Sequence, residues 1–480
     1  MKNVLLLGVL LISISMQSQT PYGHEWIDPS KPHYKFPIIT NGIYRIPFSF
    51  LQTNCPEIAS ASGLEICIYS NGKQIPLFLS WTGSPTSTDF IEFYGKRLDA
   101  EIDKRLYADS NHVLNPFTSL FKDTNYYYIT LRPGINARIT DYVNDTTSVS
   151  NPYLGYCIAN AINHYKVTYN DGRRWYYSAT EYSIRPSFDE GEGWGTNAYT
   201  SLSIPTPNSV SPAGVNAKLR ARLFGRNELS HNLEFRINGT SVGTKSANGS
   251  AMINFEKDLN ASSITSTSTA LAIAPLIANN HGYCLGFASL SYPRDFNFNS
   301  LNQYSFSLPI SAGSVRFQLS NYNSANEIVL YDLSNNTRTT HQPATAHRFL
   351  VNIQSDKSLL AITPTSSILS ISYVRKYDYG NLLNQRGNFL LIANRSMQLD
   401  SSGIDIIAEY KAYKESAAGG AYQVVVAYMD ELQEFFGYGQ PKHPIAIRKY
   451  LQWSQTWTGG SAQHALLIGK GFSSRIYWLY

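Results

Sequence analysis

Residues 388–394 read "NFLLIAN", five apolar positions in unbroken succession between two asparagines. A strand buried on both faces is apolar at every position, whereas a half-exposed strand alternates. The run therefore predicts the central strand of a parallel sheet. Two stretches downstream repeat it, "YQVVVAY" (422–428) and "HALLIG" (464–469). Between them the spacing of Ile406, Ile407, Tyr410 and Tyr413 predicts a helix over Ile404–Ala418, closed by Gly419-Gly420 in the usual manner of helix C-termini. "DELQEFFG" (430–437) predicts a short helical turn with Asp430 as its cap. Pro444 suits the first turn of a helix running through Trp457. The order β-α-β-α-α-β implies a parallel sheet with right-handed crossovers. In such sheets ligands bind beyond the carboxyl ends of the strands. A complete sheet of this kind needs about two or three more strands. Gly469-Lys470-Gly471 has neither nucleotide-binding spacing, so it reads as a strand-end turn.

Upstream the period changes from helical to two. From His33 to about Tyr142, "HYKFPII" and "GIYRIPF" flank Asn41-Gly42, and "LEICIYS" and "IPLFLSW" flank "NGKQ"; both are hairpin signals. A short helix is predicted at Ile102–Tyr107. From about 150 to 380, short strands such as "KLRARLFG", "NLEFRINGTSV" and "EIVLYDL" alternate with polar turns, the pattern of a β-sandwich or jelly roll. No fixed-period repeat is visible. The organisation expected is a leader at 1–18, an N-terminal β domain at 19–145, a β-sandwich domain at 146–385 and an incomplete α/β domain at 386–480.

The chain has 480 residues, a formal charge of +5, only 15% charged residues, and 34 tyrosines. No Lys/Arg block occurs, which argues against nucleic acid as a partner. "MKNVLLLGVLLISISMQSQ" places Lys2 before an apolar stretch and then small residues, the layout of a signal peptide cleaved near Ser18. That stretch is shorter than the roughly 20 residues of a membrane span, and no later segment qualifies. Export to the periplasm, cell surface or medium follows. In an oxidising compartment the four cysteines, Cys55, Cys67, Cys157 and Cys284, allow two disulfides, with Cys55–Cys67 the first candidate and buried free thiols the alternative. In "DEGEGW" (189–194), Asp189, Glu190 and Glu192 form a candidate structural calcium site, since hard cations favour carboxylate oxygens on a flexible loop. The competing reading is a polar turn. His281 and Cys284 stand three apart and point to opposite faces of an extended strand, so they make no nucleophile–base pair. The residues alone yield no catalytic set, and no cofactor is required.

Several stretches, however, resemble a known family. "GIYRIPFSFL" and "DFIEFYGKRLDAEIDKRLYADSNHVLNPFTSLFKDTNYYYITL" (89–131) are similar to the N-terminal region of gingipain-type cysteine peptidases, in particular the large exported proteins of the type IX secretion pathway, including its sortase. "DEGEGW" and "ISYVRKYDY" fit the same proteins. "FLLIANRSM", "IAEYKAYKESAAGGAYQVVVAYMDELQEFFGYGQPKHPIAIRKYL" and "HALLIGKG" resemble the opening of the gingipain peptidase domain. The likeness is densest at 85–131 and 388–471. It implies a caspase-like α/β fold in which a catalytic His followed by Gly, and a catalytic Cys, stand on later strand ends. His281-Gly282 precedes that domain, and His464 opens a strand that the family places upstream of its dyad. Neither is carried over. The resemblance therefore implies the leading part of a secreted cysteine endopeptidase whose catalytic pair falls beyond Tyr480, acting in the intact parent on polypeptide and in contact with secretion components. The rival readings are a non-catalytic surface module gripping peptide or glycan through a Tyr/Trp-rich β domain, and a gene fragment left with an unfinished sheet edge.

Overall fold

The computed structural model describes residues 22–469, apart from 179–180, 185–186, 198–200, 278–281, 300, 311, 323–324, 355–357 and 459. The leader read at 1–18, His281, Lys470 and Gly471 lie outside the described residues.

Alternating apolar residues in the first 140 positions build two facing sheets. One runs Arg375–Tyr377, His33–Ile38, Asn125–Leu131, Ile66–Ser70, Lys73–Ile75; the other Leu369–Ser370, Gly42–Pro47, Phe90–Gly95, Phe78–Leu79. The "NGKQ" hairpin forms as expected. Asn71 (φ 52) and Gly72 (φ 76) take the left-handed conformations that a two-residue turn requires. Asn41-Gly42 does not make the hairpin its sequence suggests. His33–Ile38 pairs with Asn125–Leu131 and Gly42–Pro47 with Phe90–Gly95, so the turn is a corner between sheets. Phe36 and Ile38 then meet Tyr44 and Ile46 in one core across the sandwich. The helix expected at Ile102–Tyr107 is a single 3₁₀ turn, Asp103–Arg105, held short by side-chain bonds of Asp103 described below.

The middle of the chain is organised by one nine-stranded sheet reaching from Met252–Asn260 at one edge to Thr140–Asp141 at the other. Part of it shares a core with a four-stranded sheet, around Leu219, Leu233, Phe235 and Leu290. Another part shares a core with a three-stranded sheet, around Phe306, Phe317, Leu330 and Phe349. The molecule is thus multidomain and strand-rich, and its middle region is two sandwiches sharing a sheet.

The opening run forms the strand Phe389–Ala393, parallel to Val424–Tyr428 on one side and to His464–Ile468 on the other. Both its faces are buried. Phe389 and Leu391 pack with Ile407 of the helix Ile406–Glu415, while Leu390 and Ile392 pack with Leu432 and Tyr450 of the helices Met429–Phe435 and Ile445–Ser454. Asp405 Oδ1 caps the first helix by accepting from Ala408 N at 2.8 Å. This helix stops at Glu415, short of Gly419-Gly420, and the last stops at Ser454 rather than Trp457. Asp430 is not the cap of its helix. It lies in the first turn and accepts from Arg395 Nε at 2.8 Å instead.

The N-terminal sandwich and the α/β unit fit closely. A Cβ on Gly439 (φ +72) would sit 1.8 Å from Tyr128 Oη, and one on Gly72 2.7 Å from the Tyr438 ring. Lys35 Nζ pairs with Glu434 Oε1 at 2.5 Å across the junction. No helix among the described residues is long and apolar enough to cross a membrane.

Candidate functional site

The carboxyl ends of the strands 389–393 and 464–468 open into a cleft of about 630 Å³. The floor is Ile392, Leu467, Ile468 and Gly469; one side is the turn Asn394–Met397, the other Met429, Gln433, Pro444 and Ile447. Two phenylalanines from outside the α/β unit complete it. Phe121 comes from the connector between the strands 90–95 and 125–131, and Phe188 from the loop that runs into "DEGEGW". The rim leaves apolar surface in water, with Leu467 55% and Met397 39% exposed.

A buried carboxylate sets Phe121. Asp103 accepts from Leu120 N at 2.6 Å, from Ser119 Oγ at 3.1 Å and from His443 Nε2 at 2.8 Å, with Asp103 and His443 both fully buried. Ile445 N–H donates to His443 Nδ1 at 3.2 Å, so the ring proton sits on Nε2 and points at Asp103. Both ring nitrogens are engaged. The His443 and Phe121 rings lie 4.4 Å apart, and the pair fastens the connector to the start of the helix 445–454. His443 therefore positions a wall and has no nitrogen left for acid–base work.

A second buried carboxylate sets Phe188. Glu192 accepts from the Phe188 N–H and from the Tyr169 hydroxyl, and its carbonyl accepts from Tyr107 Oη at 3.0 Å. Phe188 is held at φ +67, where a bulky L-residue is strained. Glu190 pairs with Arg173 and accepts from Met252 N, and Asp189 accepts from Glu190 N at 2.7 Å. The three carboxylates of the candidate calcium loop thus bond to separate neighbours. Among the described residues no three His, Cys, Asp or Glu side chains are gathered as a metal-ligand set.

In the helix Ile445–Ser454 Lys449 is buried. Its ammonium and Arg105 Nη1 (2.6 Å) converge on the Tyr438 hydroxyl. Burial, reinforced by the Arg105 charge, pushes Lys449 down to about 7.

The cysteines are elsewhere. Cys55 and Cys67 are not bridged; Cys55 ends the helix Phe48–Asn54 and Cys67 lies inside a strand with Sγ facing Thr130 O at 3.6 Å. Cys157 and Cys284 are likewise buried free thiols. Burial pushes Cys67 up to about 11 and the other three to about 12, the opposite of an activated nucleophile. His464 opens its strand beside Phe389 and Tyr422. Sequence reasoning singled out none of Asp103, Phe121, Phe188 or His443 as site residues. For Asp103, Phe121 and His443 the signal was their presence within segments of family likeness; Phe188 stands just before one, "DEGEGW".

No protein-family model matches the chain, and no curated protein matches it. Among solved structures its fold is similar to that of dimeric latent PorU from Porphyromonas gingivalis, with a TM-score of 0.55 and 13% identity over 91% of this chain. The chain spans 41% of the length of that one. Two carbohydrate-binding modules also align at 12% and 15% identity: the CBM36-1 domain of a multidomain xylanase from the hindgut metagenome of Trinervitermes trinervoides, and CBM36 in complex with calcium and xylotriose. They cover 28% and 27% of this chain and 96% and 98% of their own, with TM-scores of 0.18 and 0.17.

Proposed function

We propose that the chain is the leading part of an exported, gingipain-like cysteine endopeptidase related to type IX secretion, acting at the periplasm, cell surface or outside the cell. The observation that carries this reading is a parallel three-stranded α/β unit whose strand ends open into a preformed cleft, the position where such folds do their chemistry. The resemblance at 85–131 and 388–471 and the fold likeness to latent PorU support it. In the parent, a caspase-like domain would be completed by later strands bearing the catalytic His and Cys. The thiolate would attack the peptide carbonyl, His would pass its proton to the leaving amine, and backbone N–H groups would hold the oxyanion. Of the four cysteines here none suits that role, being buried with raised thiol pKa. The test is to read the coding frame past Tyr480. A His-Gly and then a Cys, each after an apolar run, supports the proposal; a stop followed by unrelated sequence removes it.

A second reading, a non-catalytic module for peptide or glycan, is favoured by the hairpin Arg174–Tyr176/Tyr182–Ile184, where Trp175 is 54% and neighbouring Tyr177 70% exposed. Quenching of tryptophan fluorescence by an oligosaccharide, lost in Trp175→Ala, would carry it.

A further inference from the structure

We infer that Phe121 and Phe188, supplied by the two leading regions of the chain, are specificity-determining residues of the cleft, which takes a bulky apolar side chain of an extended polypeptide and disfavours a basic one. The inference rests on the peptide-processing reading above and deepens it.

Four observations converge. The walls carry Phe121, Phe188, Met397, Met429, Ile447 and Leu467, and no carboxylate among the described residues lines them. An arginine or lysine entering would leave its charge in an apolar slot with no carboxylate among the described residues to pair with it, which is costly. An aromatic or aliphatic side chain would instead cover exposed Leu467 and Met397. The volume falls in the range of ligand pockets that are mostly apolar with a few polar groups. One such group is the amide of half-buried Gln433, which makes no hydrogen bond among the described residues and so has donor and acceptor available to a peptide backbone.

The aromatic wall is also built at a cost. Phe188 is held in a strained conformation by the buried Glu192 carboxylate, and Phe121 is held by the buried Asp103–His443 pair. Strain that the surroundings over-determine clusters at functional sites. Because these two rings come from outside the α/β unit, the leading regions form part of the binding surface. Their removal would erase the preference.

The test uses the 480-residue chain and three capped, fluorophore-labelled hexapeptides identical except for a central Phe, Arg or Asp, with affinity read by fluorescence anisotropy. The Phe peptide is expected to bind about tenfold or more tighter than the Arg peptide, as burial of an aromatic side chain allows. Phe188→Ala should remove most of that advantage and Phe188→Leu restore part of it, with circular dichroism confirming the fold. Met429→Glu, which places a carboxylate on the wall, should tighten the Arg peptide. Equal or tighter binding of the Arg peptide to the parent chain overturns the inference. So does absence of binding by all three peptides, or binding of the Phe peptide only once residues 470–480 are deleted, which would make the chain's own continuation the occupant. None of these outcomes alters the coding-frame result, so the two proposals fail separately.

Discussion

Asp103 accepts hydrogen bonds from two neighbours on its own connector and one histidine from the α/β unit, all out of contact with water. Removing the carboxylate strands three donors at once. Asp103→Ala is expected to lower stability by about 3 kcal/mol, the usual scale for breaking a buried charged network. The urea midpoint should fall accordingly, and Phe121 should lose its fixed position. Lys449 gives a prediction in pH. Its folded form loses the proton near 7, whereas an unfolded lysine keeps it to about 10.4. Between those values the unfolded state binds more protons, so stability rises with pH across that window. Lys449→Met removes this titration. The difference in unfolding free energy between variant and parent should be greatest at pH 7 and below and shrink toward pH 10; a constant difference would show that Lys449 does not titrate as described. Neither residue was legible as buried beforehand. "EIDKRL" has the charge pattern of a solvated turn, and whether Asp103 faces water depends on a segment some 340 positions away.

Elements were legible where the deciding forces are local. The run at 389–393 is apolar at every position because both its faces are covered, and 424–428 is mostly buried beside it. The run at 465–468 is equally apolar although His464–Ile468 is an edge strand left largely exposed, and the parallel sheet follows from the three together. "NGKQ" folds as a hairpin because Asn71 and Gly72 accept positive φ with no outside help. Asn41-Gly42 misleads because a turn signal says that the chain reverses, not whether the next strand joins the same sheet or the facing one. The Cys55–Cys67 expectation misleads similarly. Twelve positions of separation permit a bridge, but the strand around Cys67 points its sulfur to Thr130. The "GYG" at 437–439 is an element-scale constraint. Gly439 combines φ +72 with a Cβ position 1.8 Å from Tyr128 Oη, so the helix 429–435 can dock on the sandwich only with glycine there. Gly439→Ala should cost about 2 kcal/mol or more by strain and overpacking. In a proteolysis time course it should expose the linker near 380–388 earlier than in the parent.

At the scale of the molecule, three parts meet at the cleft. The sandwich contributes Phe121, the middle region Phe188, and the α/β unit the floor. That convergence was invisible in the sequence, since it depends on how domains dock and not on any local period. The composition did disclose a strand-rich, multidomain chain, and over 91% of its length the fold is similar to that of latent PorU. The purified 480 residues are expected to show no thiol-sensitive cleavage of peptide substrates, because their cysteines are buried with raised pKa. Loss of turnover on alkylation with iodoacetamide would contradict this.

The central claim is that these residues form the front of a cysteine endopeptidase whose nucleophile lies further along the parent chain. It is tested most directly by treating that parent with a peptidyl electrophile carrying an apolar side chain and mapping the adduct by mass spectrometry. The account predicts a single labelled cysteine located after Tyr480. No adduct, or an adduct on Cys55, Cys67, Cys157 or Cys284, would contradict it.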